Sequence, residues 1–333
     1  MSVSAGSALP AATAPVAANP PAWVDNTHPL GRLIDALLAV EPLRRLLFLQ
    51  ARRVIIRTAE RNGIAWRARR EQLRAAAEPL LEASRDPALA MPAYYRARFH
   101  AYGEGNLCWE AACEAEQATD SMALRVWPEE SLTPQQAQNR LRAAIFAAIE
   151  PSLDGPVRQA LDLGCSVGVG TLALRDWLEQ RPAQADQPLR VEGLDLSPQM
   201  LAVARARDAG GRIDAWHHAA AEATGLPTGQ ADLITLQFVC HELPASATAA
   251  VLGEAARLLR PGGVIALVDQ DPDSATIRRL PAPIATLLKS TEPYLEDYFR
   301  LDLAAALAQA GFEAVRAEPC DHRHRVMVAR RAG

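Results

Sequence analysis

Three sets of residues have the types and spacing for chemistry. His241 and Glu242 follow the apolar run Asp232-Leu-Ile-Thr-Leu-Gln-Phe-Val239. An imidazole there can take a proton from a hydroxyl near neutral pH; the alternative is a brace for the loop before Pro244. Gly164, Gly168 and Gly170 follow a second apolar run, Ala160 to Leu163. Glycines supply positive φ and let a ligand approach the backbone closely. Asp195 closes a third run, Arg190-Val-Glu-Gly-Leu-Asp195, where a carboxylate can accept from a pair of ribose hydroxyls. Its distance from Gly164 exceeds the usual ~20 residues, and the polar, Pro-bounded stretch Arg181 to Pro188 absorbs the excess.

These positions need a particular scaffold. Ala160 to Leu163, the glycines, and Leu172-Ala-Leu-Arg-Asp-Trp-Leu178 spell strand, tight turn and helix, the opening unit of a doubly wound sheet. In such sheets ligands gather outside the carboxyl ends of the strands. That places His241, Glu242 and the group Asp269, Gln270 and Asp271, which ends the strand Val264 to Val268, at one edge. Phe312 to Ala317 and Arg325 to Arg330 are expected as a final antiparallel pair. The fold class is therefore α/β, a Rossmann-like doubly wound sheet preceded by a mostly α-helical region.

Asp162-x-Gly164-x-Ser166-x-Gly168, Gly193-Leu-Asp-Leu-Ser-Pro-Gln-Met-Leu201, Ala231 to Leu243, and Leu259-Arg-Pro-Gly-Gly-Val-Ile-Ala-Leu-Val-Asp269 stand in that order. Together they resemble class I S-adenosylmethionine-dependent methyltransferases over about Val157 to Arg331. The resemblance implies S-adenosylmethionine as cofactor. Asp162 and the Gly164–Gly168 backbone, with Ser166 in place of the family's middle glycine, would meet its methionine moiety. Asp195 would meet the ribose, Leu196 and Met200 the adenine, Ala221 and Glu222 the adenine edge, and Gln237 the donor end of the fourth strand. Ala220 stands where an acidic residue often reaches the adenine amino group.

The helical region, 28–150, is expected to act as a lid, substrate or dimerisation domain before the methyltransferase domain, 151–333. Leu30, Leu33, Ile34, Leu37 and Leu38, then Leu43, Leu46 and Leu47, recur at helical spacing with Pro42 as a break. Gln72 to Ala83 is a further helix. Thr133-Pro-Gln-Gln136 offers an N-cap, a proline at the first helical position and a reciprocal Gln, opening a helix to Ile149. Between them five aromatics and His100 crowd into Tyr94 to Trp109, in a chain only 5% aromatic. Tyr94, Tyr95, His100, Tyr102, Asn106 and Trp109 suit a lined acceptor pocket, and packing against the sheet half is the equal alternative. His100 is a second candidate base. Tyr294 and Tyr298, four apart, could close over an acceptor or pack outward.

Composition sets the remaining bounds. The formal net charge is −4, and no basic block interrupts the chain; a nucleic-acid groove clusters Lys and Arg, so no nucleic-acid partner is expected. Of the 35 basic residues only Lys289 is a lysine. Five cysteines without Cys-x-x-Cys spacing argue against a disulfide framework. His322 and His324 fit a surface turn, and no metal is expected. Residues 1–27 hold no Lys or Arg and no periodicity, which suggests a disordered tail with no targeting function. No apolar run reaches the ~18 residues of a membrane span, so a cytoplasmic location and no membrane partner are expected. The function expected is methyl transfer to a hydroxyl or thiol of a small molecule, in a protein able to dimerise through its helical region. A nicotinamide-dependent oxidoreductase and a non-catalytic S-adenosylmethionine-binding module are the alternatives.

Overall fold

The computed structural model describes residues 20–25, 29, 32, 36, 37 and 39–333. Its frame is a seven-stranded sheet of β1 (Gln159–Leu163), β2 (Arg190–Asp195), β3 (Ala215–His218), β4 (Ala231–Gln237), β5 (Leu259–Gln270), β6 (Phe312–Pro319) and β7 (His324–Arg331). The order is β3-β2-β1-β4-β5-β7-β6, with β1 to β5 parallel and β7 antiparallel to both of its neighbours. The Rossmann-like sheet and its closing antiparallel pair are thus as expected. β3, a short Ala-Trp-His-His strand, was not.

Side chains alternate across each strand, so one sheet feeds two cores. Leu161, Leu163, Ile234, Leu236, Ile265 and Leu267 face one; Ala160, Leu233, Val264, Ala266 and Val268 face the other. Crossover helices cover both faces, which is why the strands are near-continuous apolar runs. The helical region precedes the sheet as α1 (Glu41–Arg61), α2 (Trp66–Ala77), α3 (Trp109–Val126) and α4 (Pro134–Ile149). The crossovers are α5 (Val169–Gln180), α6 (Pro198–Arg207) and α7 (Ala245–Leu258). Four short helices follow β5: α8 (Ala275–Arg278), α9 (Ala282–Thr291), α10 (Leu295–Arg300) and α11 (Leu303–Gln309).

Beside a small cluster of its own, Ile56, Ala59, Ile64 and Trp66, the helical region shares a core with the sheet half. Leu73, Ala77, Ala111, Ala112 and Cys113 share a buried cluster with Val167, Met200, Ala202 and Val203 of the sheet half. Phe146 of α4 stacks on Trp177 of α5, rings 4.7 Å apart. The Thr133–Gln136 capping box forms with both hydrogen bonds, Gln136 N to Thr133 Oγ1 at 3.3 Å and Thr133 N to Gln136 Oε1 at 2.9 Å.

The break expected at Pro42 is present: positions 36 and 37 are helical, 39 and 40 form a turn, and Pro42 stands in the first turn of α1. Three expectations are corrected. The helix expected over Gln72–Ala83 is α2 from Trp66, continued after Ala77 by two 3₁₀ turns, because Pro79 has no N–H to extend the ladder. Leu46 and Leu47 are 54% and 41% exposed, while α1 buries Ile56 and Ala59 instead. Leu30, Leu33, Ile34 and Leu38 lie outside the described residues. Finally, the expected tail 1–27 contains a docked 3₁₀ turn, Ala22–Asp25. Trp23 Nε1 donates to the Ile277 carbonyl at 2.7 Å, its ring meets Phe299 edge-on at 5.0 Å, and Val24 is buried. Two apolar residues seat the turn, and the Ala/Pro background hides them. Residues 1–19, 26 and 27 lie outside the described residues. Among the described residues no helix is long and apolar enough to cross a membrane.

Candidate active site

A cavity of about 990 Å³ opens at the carboxyl edge of the sheet, between β1, β2, β4 and β5 and a roof from residues 94–106, α1, α3 and α9. Three non-glycine residues on its wall hold positive φ: Ser166 at 49°, Phe238 at 62° and His100 at 54°. Such conformations cost about 1–3 kcal/mol each and persist where the surroundings over-determine them, a pattern of functional sites.

The turn after β1 carries the densest backbone geometry. Gly164 has φ 73°, and a Cβ there would lie 2.6 Å from Val239 Cγ2. Ser166 N donates to Asp195 Oδ2 at 2.8 Å, and Ser197 N to Asp195 Oδ1 at 2.8 Å, with Tyr95 Oη at 3.3 Å from the same oxygen. Burial pushes the Asp195 carboxyl up to about 6, although the two backbone donors favour its charged form. Asp162 accepts from Thr171 Oγ1 at 2.7 Å, Thr235 Oγ1 at 2.6 Å and Gln237 Nε2 at 3.2 Å. Leu196, Met200, Ala219 and Ala221 make the apolar wall beyond Asp195.

His241 reaches the cavity from the loop after β4. Its Nδ1 lies 2.8 Å from Asp269 Oδ1, and its backbone N donates to Asp269 Oδ2 at 3.1 Å. One carboxylate at the end of β5 thus fixes ring and backbone together and leaves Nε2 for other chemistry. Burial alone would lower the imidazole pKa, but the Asp269 charge outweighs it and lifts it to about 9.

His100 is differently placed. Its Nδ1 is 2.7 Å from Glu292 Oε1 and its Nε2 2.8 Å from Glu242 Oε1. Burial works against the charged ring, yet the two carboxylates hold its pKa well above the usual value. With both nitrogens donating, it is an imidazolium clamp and not the base expected of it. Asn106 Nδ2 completes the knot by donating to Glu242 Oε2 at 2.7 Å.

The cavity wall includes Asp162, Gly164, Ser166, Asp195, Leu196, Met200, Ala221, Gln237, Tyr94, Tyr95, His100, Tyr102, Asn106, His241 and Glu242 among the expected site residues. Six expected residues stand off it. Gly168 is set behind the turn, where a Cβ would strike Trp216 at 2.6 Å. Glu222 accepts from Tyr94 Oη at 2.7 Å, which ties the roof to the loop after β3. Asp269 stands behind His241. Trp109 lies on the outer side under the Arg74 guanidinium, 4.3 Å from its ring. Tyr294 precedes α10 and donates to the Tyr94 carbonyl at 3.2 Å, whereas Tyr298 is buried and donates to the Gln270 carbonyl at 2.5 Å. Tyr294 is the N-cap of α10 and its carbonyl accepts from Tyr298 N at 3.0 Å, so the two stand one helical turn apart but give their hydroxyls to different partners.

Arg142 had not been singled out, and Gln270 only as one of the polar group closing β5. Arg142 of α4 is 8% exposed and hydrogen-bonds the Gln237 side chain, while its Nε is unpartnered. The signal was available: the positions three and four away are Gln138, Asn139, Ile145 and Phe146, so no acid on its own helix face can pair with it. Gln270, 9% exposed at the end of β5, keeps Oε1 unpartnered.

Residues 161–267 match the family described as a methyltransferase domain. An uncharacterized methyltransferase of Synechocystis is 30% identical over 163 residues, 48% of this chain and 69% of that protein. The chain belongs to the class I S-adenosylmethionine-dependent methyltransferases. Solved structures similar to this methyltransferase include a Haemonchus contortus phosphoethanolamine N-methyltransferase (16% identity, 58% of this chain and 52% of that chain, TM-score 0.41). Human N-acetylserotonin methyltransferase is another (16% identity, 77% and 67%, TM-score 0.45). The chain spans about half the length of the Haemonchus enzyme.

The wall of this methyltransferase fits the family's donor, S-adenosylmethionine. It offers a buried carboxylate beside two backbone N–H groups, an apolar shelf for a base, and a buried guanidinium with an unpartnered N–H next to Asp162 and Gln237. The hydroxyl pair, purine and amino-acid end of the donor call for those three chemistries.

Proposed function

We propose that this methyltransferase transfers the donor's methyl group to a hydroxyl or thiol of a small molecule, with His241 as the group that manages the acceptor's proton. The His241–Asp269 pair, Nδ1 to Oδ1 at 2.8 Å on the cavity wall, carries the reading. When bound, S-adenosylmethionine supplies a methyl already activated on a sulfonium, so the protein's tasks are alignment and exclusion of water.

In this reading Asp195 holds the ribose hydroxyls, Leu196, Met200 and Ala221 line the adenine, and Arg142 takes the donor's carboxylate. Asp162 and Gln237 hold the ammonium end with the Gly164–Ser166 backbone. Asp269 fixes the tautomer and orientation of His241 so that Nε2 faces the acceptor. A positive charge entering the cavity lowers the His241 pKa from about 9, and the neutral ring then accepts a hydroxyl proton. A thiol, with an unperturbed pKa of about 8.5, needs only the imidazolium beside its thiolate. Residues 94–106 act as the lid of the acceptor pocket.

The experiment is transfer from labelled S-adenosylmethionine to a panel of phenols, thiols, carboxylates and amines, read by S-adenosylhomocysteine release and product mass. A methylated phenol or thiol with turnover dependent on His241 is expected. Transfer confined to amines, or label on protein, overturns it. A homodimer through the helical region, the second part of the proposal, is tested by sedimentation velocity; a single monomeric species removes it.

A further inference from the structure

Six guanidinium groups line the cavity, and they fall into two groups. Arg44 and Arg98 pair with Glu41, and Arg52 with Glu114. Arg142, Arg125 and Arg323 form no ion pair with a carboxylate among the described residues. Arg142 belongs to the donor end described above, beside Asp162. The other two meet at the opposite side, where α3 faces the turn before β7.

Arg323 has its Nε buried and unpartnered, and its side chain makes no hydrogen bond among the described residues. The carboxylate two positions before it, Asp321, is already committed to four donors: His324 Nδ1 at 2.8 Å, Arg323 N at 2.7 Å, His324 N at 2.9 Å and Cys320 Sγ at 4.0 Å. Arg125 donates only to Ser121 Oγ, at 3.4 Å. Burial holds the Arg323 pKa down, the Asp321 charge opposes this, and the proximity of Arg125 adds to it. Two like charges therefore face one cavity, Arg125 exposed and Arg323 half-buried, and an anion placed between them would answer both. Around them stand Phe238, whose ring meets the edge of His324 at 5.2 Å, and Gln270 with its unpartnered Oε1. Phe238 is also one of the strained residues of the wall.

We propose that the acceptor is an organic oxyanion, bound with its anionic group between Arg323 and Arg125, its body against Phe238, and its methyl-accepting hydroxyl or thiol toward His241. The inference rests on the methyltransferase reading of the cavity and names the acceptor class within it. Guanidinium donors recognise carboxylate and phosphate alike through paired N–H groups, so the chemistry fixes an oxyanion and leaves its source to the test. Gln270 Oε1 is placed to accept from an acceptor N–H or O–H. The opposite wall, with Glu242 and Glu292 around His100, disfavours a second anionic group there and so orients the ligand.

The test is calorimetric titration of the protein saturated with S-adenosylhomocysteine, using matched probes. These are 4-hydroxybenzoate, 4-hydroxyphenyl phosphate and 4-hydroxybenzamide, with 3-mercaptopropionate and its amide as the thiol pair. One or both anions should bind at least about tenfold more tightly than the matching amide, a difference of about 1.4 kcal/mol. Arg323→Gln should remove that preference, Arg323→Lys should restore part of it, and S-adenosylhomocysteine affinity should be the same in all three proteins. A carboxylate preference and a phosphate preference identify the two sources. Anions that bind no better than amides, or a preference unchanged in Arg323→Gln and in Arg125→Gln, overturn the proposal while donor binding stands. Absence of S-adenosylhomocysteine binding to the wild-type protein overturns the donor reading, and this inference with it.

Discussion

At the donor end of the cavity the decisive contacts run through backbone: Ser166 N and Ser197 N both converge on Asp195, and Gly164 is shaped by Val239. At the roof they run from side chain to side chain across long stretches of sequence. Tyr94 meets Glu222, His100 meets Glu242 and Glu292, and Asn106 meets Glu242. Backbone geometry is set locally by glycines and strand ends and is indifferent to most substitutions. A roof held by acids and one imidazolium can titrate and can be unpicked one residue at a time. The donor end is built to stay, and the roof to let go.

Substitutions can break that contrast. The largest effect is expected at their meeting point: His241→Ala should lower kcat by about 10²- to 10⁴-fold, the range of a lost general base, with donor affinity in calorimetry unchanged. The wild-type pH profile sharpens the point. Because the His241 pKa is raised to about 9 and the bound donor's charge lowers it from there, kcat/KM for a hydroxyl acceptor at saturating donor should climb with pH and level off below that value, and the climb should vanish in His241→Gln. Asp195→Ala should weaken S-adenosylhomocysteine binding by about 10- to 100-fold, as loss of hydrogen bonds to a charged group implies, with the fold intact by circular dichroism. Trp23→Ala should cost about 2 kcal/mol of stability in denaturant unfolding through its lost packing, whereas truncation of residues 1–19 should leave unfolding unchanged.

Smaller effects should follow at the roof. His100→Gln should cost stability at low pH and less at high pH. A histidine whose folded pKa is raised contributes fully below its unfolded value of about 6.5, and that contribution disappears as pH rises through the folded value. Melting curves of the two proteins should therefore converge as pH increases. Smallest of all, Trp109→Ala should leave kcat and KM within about twofold, since surface changes away from a site rarely do more.

The same contrast governs what the sequence revealed. Gly164, Asp195 and His241 each stand at the end of an apolar run, so their positions followed from strand periodicity, and the sheet with its closing antiparallel pair followed too. The roles of Tyr94, His100 and Asn106 did not, because their partners are more than a hundred positions away. Nothing local says that His100 will find two carboxylates, or that Trp109 will turn outward under Arg74. Tyr294 and Tyr298 do stand one helical turn apart, but their hydroxyls are taken by the distant carbonyls of Tyr94 and Gln270. Trp23 was lost in an Ala/Pro background whose average says tail, although one indole and one valine suffice to dock a turn. Arg142 was legible in principle, as a cation without an acid at helical spacing, but only a cavity gives that absence meaning.

The Tyr94–Glu222 bond has a kinetic consequence. Together with Tyr95 at Asp195 and Asp86 N on His218 Nδ1 at 2.9 Å, it closes the roof over the same end of the cavity that takes the donor. In the proposed reading spent donor leaves past those links, so turnover should be paced by the unlatching of residues 86–95 rather than by methyl transfer. A burst of methylated product in the first turnover, followed by a steady rate that falls with solvent viscosity, is the behaviour this latch dictates.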